Sequence, residues 1–279
     1  MLTLKLDETE FTCEANWDQL SKERLLGLMR VLSEPGHPGK RMWAVVRYML
    51  KLKHGTGAVK DDKTAVALNL PAIWVHHIYA DPECLGWINE ESRKLTEYLV
   101  QGFRHRGRYY TGPPKRIMRI PIVEYVVIVI SLIQYKKTGK IDAIDEVIAT
   151  LYRPVNPLSI FGRWRGAWNG DRRMPLNDFT TKRRKKRFAT LDVALKMAIL
   201  KQVSGGVKLL EEKYPLVFAQ TEESNGSDDG RGLLNLLFAM SNGVFGDLRK
   251  TEMADTTEVF MKLEMDIKEM LRMKDRLKA

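Results

Sequence analysis

Pro121-Ile-Val-Glu-Tyr-Val-Val-Ile-Val-Ile-Ser-Leu-Ile-Gln-Tyr135, Lys136-Lys-Thr-Gly-Lys140, Ile141-Asp-Ala-Ile-Asp-Glu-Val-Ile-Ala-Thr-Leu-Tyr-Arg-Pro154 is the stretch that decides the fold. Tyr125 to Ile133 is almost wholly apolar, yet far shorter than the ~20 residues a membrane span requires. Its β-branched content would suit a strand. Against that, Pro121 is a good first helical position, and Lys136, Lys137 and Gly139 are helix-stop residues. In the second half Ile141, Ile144, Val147, Ile148 and Leu151 share one helical face, with Asp142, Asp145 and Glu146 off it. Pro154 ends that helix by steering the residue before it towards extended backbone. The stretch reads as a buried helix, a tight turn and an amphipathic helix folded back on the first.

Upstream, Thr3–Leu6 and Phe11–Glu14 flank a polar Asp-Glu-Thr-Glu and suggest a small hairpin. Asn16 or Asp18 is placed to cap a helix through Leu20, Leu25, Leu28, Met29 and Leu32, stopped by Glu34-Pro-Gly-His-Pro-Gly. A second helix runs from Arg41 to about Lys53. Pro71 breaks the apolar stretch from Thr64 to Ala80, and a further helix is expected through Leu95 and Leu99. Gly102 to Arg119 reads as an exposed, arginine-rich loop. Downstream, Val155 to Arg187 reads as a long irregular insertion, a kind of segment that is uncommon in compact domains and is usually functional or disordered. A helix resumes from Leu191 to Leu210, interrupted or ended near Gly205-Gly206. Leu233 to Met240 is a short apolar helix, and the last helix covers about Thr256 to Leu277. The expected class is mainly α: a multi-helix, bundle-like body with a short N-terminal β-hairpin and a long basic insertion. Its parts are the hairpin and helical core (1–154), the insertion (155–190), a helical continuation (191–220), an acidic linker (221–232) and C-terminal helices (233–279).

The chain has 279 residues, 44% hydrophobic and 29% charged, the profile of a soluble globular protein. The N-terminus lacks the basic start and apolar block of a secretory signal, so a cytoplasmic location is expected. Cys13 and Cys84 are too few for a disulfide framework and have no metal-site spacing. The net charge of +11 is concentrated. Residues 104–119 hold six Lys/Arg and no acid, and residues 161–188 hold ten against Asp171 and Asp178. So local a field points to an acidic partner or a nucleic acid.

Catalytic and metal chemistry find little support. His76-His77 are adjacent, do not share a helix face, and have no third ligand in register. Asp61-Asp62, Asp142/Asp145/Glu146 and Asp228-Asp229 are acidic clusters, the middle one where a solvent face needs carboxylates anyway. No phosphate-cradling glycine loop or nucleophile elbow occurs. The reading is therefore a non-enzyme without cofactor or metal. Lys182-Arg183-Arg184-Lys185-Lys186-Arg187 is a run of six cations. With Arg163, Arg165, Arg172 and Arg173 it forms the candidate electrostatic contact, for phosphates or an acidic protein. Trp164, Trp168, Phe179 and Phe188 would serve as stacking platforms for single-stranded nucleic acid. The bland alternative is a solvated charge block. In the last helix Phe260, Leu263, Ile267, Met270 and Leu271 form the candidate partner stripe, and the methionine-rich tail as a whole (Met253, Met261, Met265, Met270, Met273) offers adaptable apolar surface or ordinary packing.

Three short segments carry a resemblance. Asn16-Trp17-Asp18-Gln19-Leu20-Ser21 resembles the W-D-x-L-[ST] opening of helical proteins from tailed-phage structural modules. Ala149-Thr150-Leu151-Tyr152-Arg153-Pro154 is similar to their A-x-L-Y-R-P helix end. Gly232 to Gly243, followed by a charged helix, resembles their closing G-W-x-x-x-x-x-x-L-A-x-G, with Leu233 standing where the pattern has tryptophan. The likeness implies a phage or prophage tail-morphogenesis protein, an assembly chaperone that shields exposed helices of tail tube or tape-measure polypeptides from aggregation. It would work in the host cytoplasm, with the virion and an oligomer as further options and no membrane. Two alternatives stand beside it: a nucleic-acid-binding protein using residues 161–188, and a structural ring or connector subunit of the virion.

Overall fold

A computed structural model describes residues 2–6, 9–51, 72–90, 93–114, 117–157, 159, 171–218 and 247–276. They are mainly helical, as expected, with two small antiparallel sheets. Among them no helix is long and apolar enough to cross a membrane. The chain divides into two compact units, Met1–Leu99 with Asp192–Gln202, and Val100–Leu191 with Val203–Ala279.

The first unit opens with β1 (Leu2–Leu6) and β2 (Thr9–Cys13), paired from Leu2↔Cys13 to Leu6↔Thr9. Phe11 and Cys13 are buried and Thr12 is exposed, the alternation of a half-covered strand. The Asn16 carboxamide caps a short 3-10 turn (Trp17–Gln19), and the Ser21 hydroxyl caps α1 (Lys22–Ser33). Helix α2 (Pro38–Met49) begins with a proline, whose missing N–H costs nothing at that position. Gly27 admits Tyr48 against α1, since a Cβ there would fall 2.0 Å from the Tyr48 hydroxyl. Arg24 joins three elements. It donates to both Glu14 carboxylate oxygens at 3.0 and 2.9 Å, and to the Tyr48 and Met49 carbonyls at 3.0 Å each, closing the end of α2. Trp17 meets Trp87 edge-on at 5.1 Å, with the Lys201 ammonium 4.2 Å from a Trp17 ring. Helix α3 (Ala72–Ala80) buries Val75 and Ile78.

The helix expected through Leu95 and Leu99 is absent: residues 93–101 are irregular. Asp18 provides the reason, because its Oδ1 accepts the backbone N–H groups of Thr96 and Glu97 at 2.6 and 2.8 Å. Those donors are no longer available to a helical ladder.

The second unit is built on α4 (Ile122–Thr138) and α5 (Ile141–Leu151). No residue from Pro121 to Ile133 is exposed, so α4 is covered all round as far as Ile133 and has no polar face there to reveal its period. Gly139, at φ +65°, ends it and donates to the Tyr135 carbonyl at 2.7 Å. Nothing crowds a Cβ at that position, so Gly139→Ala would pay only for the left-handed backbone. We expect a loss of about 1 kcal/mol by urea denaturation. Helix α5 departs from the expected two-faced pattern: Asp145 is buried and Ile141 is exposed. It packs against both α4 and the basic helix α6 (Asp178–Phe188), so a second side is covered.

Gly102 to Arg119 is also not the loop expected. Strands β3 (Gly102–His105) and β4 (Arg108–Thr111) form a hairpin, and β5 (Arg153–Pro154) pairs with β4 to complete the sheet. The turn is Arg106-Gly107 with φ +47° and +76°, the positive-φ pair that two-residue hairpins need. Phe103 and Tyr110 cluster with Tyr152 and Phe188, and the Tyr152 hydroxyl donates to the Val100 carbonyl at 2.6 Å.

Helix α7 (Val193–Lys213) is continuous through Gly205-Gly206. Gly206 lets Ile117 approach, its Cδ1 lying only 3.0 Å from where a Cβ would sit. After α8 (Leu248–Met253), the final helix α9 (Thr256–Arg276) is anchored where the Thr256 N–H and hydroxyl both donate to the Ile120 carbonyl, at 3.0 and 2.7 Å. Phe260 then inserts among Tyr125, Tyr214 and Phe218. The expected acidic linker over 221–232 and the short helix Leu233–Met240 lie outside the described residues.

Candidate functional site

The six-cation run is helical rather than irregular. Asn177 caps α6 by accepting the Thr180 N–H at 3.1 Å, and Lys185, Lys186 and Arg187 occupy its last turn, where positive charge suits the helix dipole. At ~100° per residue a helix distributes a continuous run around its axis, and here that geometry separates the cations into three groups.

Arg184 points inward. Its Nε donates to the Ala149 carbonyl at 3.0 Å, and Nη1 and Nη2 donate to the Thr180 and Thr181 hydroxyls at 3.1 and 2.7 Å. These are neutral acceptors, so burial, with Arg153 nearby, brings its pKa down to about 10. Lys185 and Arg187 lie on the flanks. Lys185 Nζ pairs with Asp142 at 2.8 Å and Glu146 at 3.0 Å, and Arg187 Nη1 donates to the Tyr110 hydroxyl at 3.0 Å. Lys182, Arg183 and Lys186 form the outer face, exposed together with Phe179 and without an ion-pair partner among the described residues. Half of the expected contact surface is therefore internal structure.

The arginines before α6 divide in the same way. Arg163 and Arg165 lie outside the described residues, and Arg172 is exposed. Arg173 is buried in an ion cluster and not available to a partner. It donates to Glu124 Oε2 at 3.0 Å, to Asp171 Oδ2 at 2.7 Å and to the Leu151 carbonyl at 2.9 Å. Arg153 completes the cluster with a 2.6 Å bond to Glu124 Oε1. Burial alone would raise the Asp171 pKa, but the bonds and charge of Arg173 outweigh it and hold the carboxyl below its ordinary value. Burial lowers Arg153, and Glu124 at 2.6 Å with Asp171 at 3.6 Å does not offset this. It acts on Arg173 as well, yet Glu124 and Asp171 together raise that group. Two acids against two arginines keep the cluster neutral, the condition under which buried charge is tolerated. Beside it, two backbone bonds, Asn156 N–H to the Arg172 carbonyl at 2.7 Å and Met174 N–H to the Pro154 carbonyl at 2.9 Å, fasten the chain around residue 173 to the strand that follows α5. Neither Glu124 nor Asp171 was conspicuous in the sequence. The available signal was a lone acid, Glu124, in the first turn of a helix that is otherwise apolar from Ile122 to Ile130.

The stripe expected on α9 is also divided. Phe260, Leu263 and Ile267 are buried in the fold, whereas Met270 and Leu271 are 56% and 45% exposed. Every residue from Lys268 to Arg276 is exposed.

Among the described residues no three His, Cys, Asp or Glu side chains are grouped to hold a metal. His76 and His77 are both exposed on α3 with ring centroids 6.3 Å apart, while Asp61-Asp62 and Asp228-Asp229 lie outside the described residues. Burial raises the Cys13 thiol, and burial with Asp81 pushes Cys84 up to about 11, which favours the uncharged thiol over the nucleophilic thiolate. No family model and no solved structure matches the chain.

Proposed function

We propose that this protein acts by gripping other polypeptides, as a non-enzymatic assembly factor in phage or prophage tail morphogenesis. The observation that carries the contact reading is the course of α9. Its apolar stripe buries Phe260, Leu263 and Ile267 and then continues, in the same helical phase, through the exposed Met270 and Leu271. A stripe prolonged beyond its own core is suited to lie against an apolar helix of a partner. Methionine at 265, 270 and 273 can fit more than one sequence along a long partner. The motifs at residues 16–21, 149–154 and 232–243 are what direct this reading towards tail tube or tape-measure polypeptides, in the cytoplasm of the host.

The test is the double variant Met270→Asp/Leu271→Asp in the phage or prophage that carries the gene. Neither side chain is buried in the fold, so the unfolding midpoint should stay unchanged. Each would contribute about 1.5–3 kcal/mol if buried by a partner, which makes the expected loss of binding at least about a hundredfold. Particles lacking tails, seen by electron microscopy, are the expected result. Normal tails in the presence of the folded variant would overturn the proposal.

A further inference from the structure

The outer face of α6 carries a second, independent surface. Phe179, Lys182, Arg183 and Lys186 fall within about a third of the helix circumference, and all four are exposed, Phe179 by 76%. Asp178 stands one turn before Lys182, but no ion pair joins them among the described residues. The carboxylates that do engage this helix, Asp142 and Glu146, are taken up by Lys185 on its flank. Like charges three and four apart, as in Lys182/Lys186 and Arg183/Lys186, destabilise a helix locally. Here they are left without compensation along one side.

The same sign of charge extends beyond the helix. The β3–β4 turn sits at its C-terminal end, with His105 Nε2 3.2 Å from the Arg187 carbonyl and Arg106 Nη2 donating to the Thr190 hydroxyl at 3.1 Å. Arg106 and Arg108 are exposed there. A track of cations thus runs from Lys182 past Arg183 and Lys186 to the hairpin tip, with an exposed aromatic ring at its start.

We propose that this track binds single-stranded nucleic acid, with Lys182, Arg183 and Lys186 on successive phosphates and Phe179 stacking on a base. Cations without the ring would serve any polyanion. The ring favours an unpaired strand, whose bases are open to stacking. Arg173, Arg184 and Lys185 take no part, because their donors are already engaged within the fold.

The test uses the full chain and a fluorescein-labelled oligothymidylate about 20 nucleotides long, followed by anisotropy. With three phosphates engaged, log K should fall against log salt with a slope of about −2, roughly a tenfold to twentyfold loss between 50 and 200 mM. Lys182→Ala/Arg183→Ala/Lys186→Ala should abolish binding. Lys185→Ala, whose ammonium is already paired, should remain within about twofold of the parent. Phe179→Ala should weaken the oligothymidylate complex by about 5- to 100-fold without altering the salt slope. Met270→Asp/Leu271→Asp should bind as the parent does, which keeps this result separate from the tail-assembly reading. Absence of binding at 50 mM salt, or full binding by the triple variant, would overturn the proposal. Equal affinity for a duplex of the same length or for polyglutamate would also overturn it, as either marks a surface for polyanions in general.

Discussion

Glu124→Gln is expected to lower the unfolding free energy by about 3–5 kcal/mol, although it keeps the side-chain volume. Glu124 receives Arg153 and Arg173 on its two oxygens, and without its charge Asp171 alone would face two buried guanidinium groups. Urea denaturation followed by circular dichroism measures the loss, and a cost under about 1 kcal/mol would show that the cluster does not work as a balanced unit. Adding Arg153→Met to Glu124→Gln removes the surplus positive charge, so the double variant should be more stable than the sum of the single changes predicts. Asp171 supplies the pH dependence. Its carboxyl titrates lower in the fold than in the unfolded chain. Its contribution is therefore complete above the unfolded value of about 3.9 and disappears as the pH falls through the depressed folded value. The stability difference between the parent and Asp171→Asn should accordingly be constant near neutrality and shrink below about pH 4.

Phe260→Ala should cost about 3–5 kcal/mol. Its ring is fully buried and meets Tyr125, Tyr214 and Phe218 edge-on at 5.2, 5.8 and 5.4 Å, and a truncated side chain would leave a cavity between helices. Loss of the near-ultraviolet tyrosine signal and an earlier urea midpoint are the expected readouts. This result separates two roles on one helix: Phe260→Ala damages the fold, while Met270→Asp/Leu271→Asp spares it and removes only the proposed contact. A folded Phe260→Ala protein of parental stability would contradict the packing described for α9.

The helical pair at 121–154 was legible because its signals are local: an apolar run, Gly139 in a left-handed turn, and Pro154 just past the end. The N-terminal hairpin and the span of α9 were legible for the same reason. The β3–β4 hairpin was hidden by its own composition, since Arg104, Arg106 and Arg108 read as a solvated loop although Phe103 and Tyr110 on either side of them are core. The irregular course near Thr96 is imposed by Asp18, 78 residues earlier in the chain.

The contact surfaces divide along the same line. Sequence alone determined that Lys182 to Arg187 are six cations and that apolar residues recur down α9, because composition and helical period belong to the chain itself. Only the tertiary structure decided that Arg184 and Lys185 turn towards α5 while Lys182, Arg183 and Lys186 face solvent, and that the α9 stripe is core as far as Ile267 and exposed from Met270. Which side of a helix meets the core depends on what packs against it. For Arg173 that partner is Glu124, 49 residues away, and no local pattern can announce so distant a neighbour.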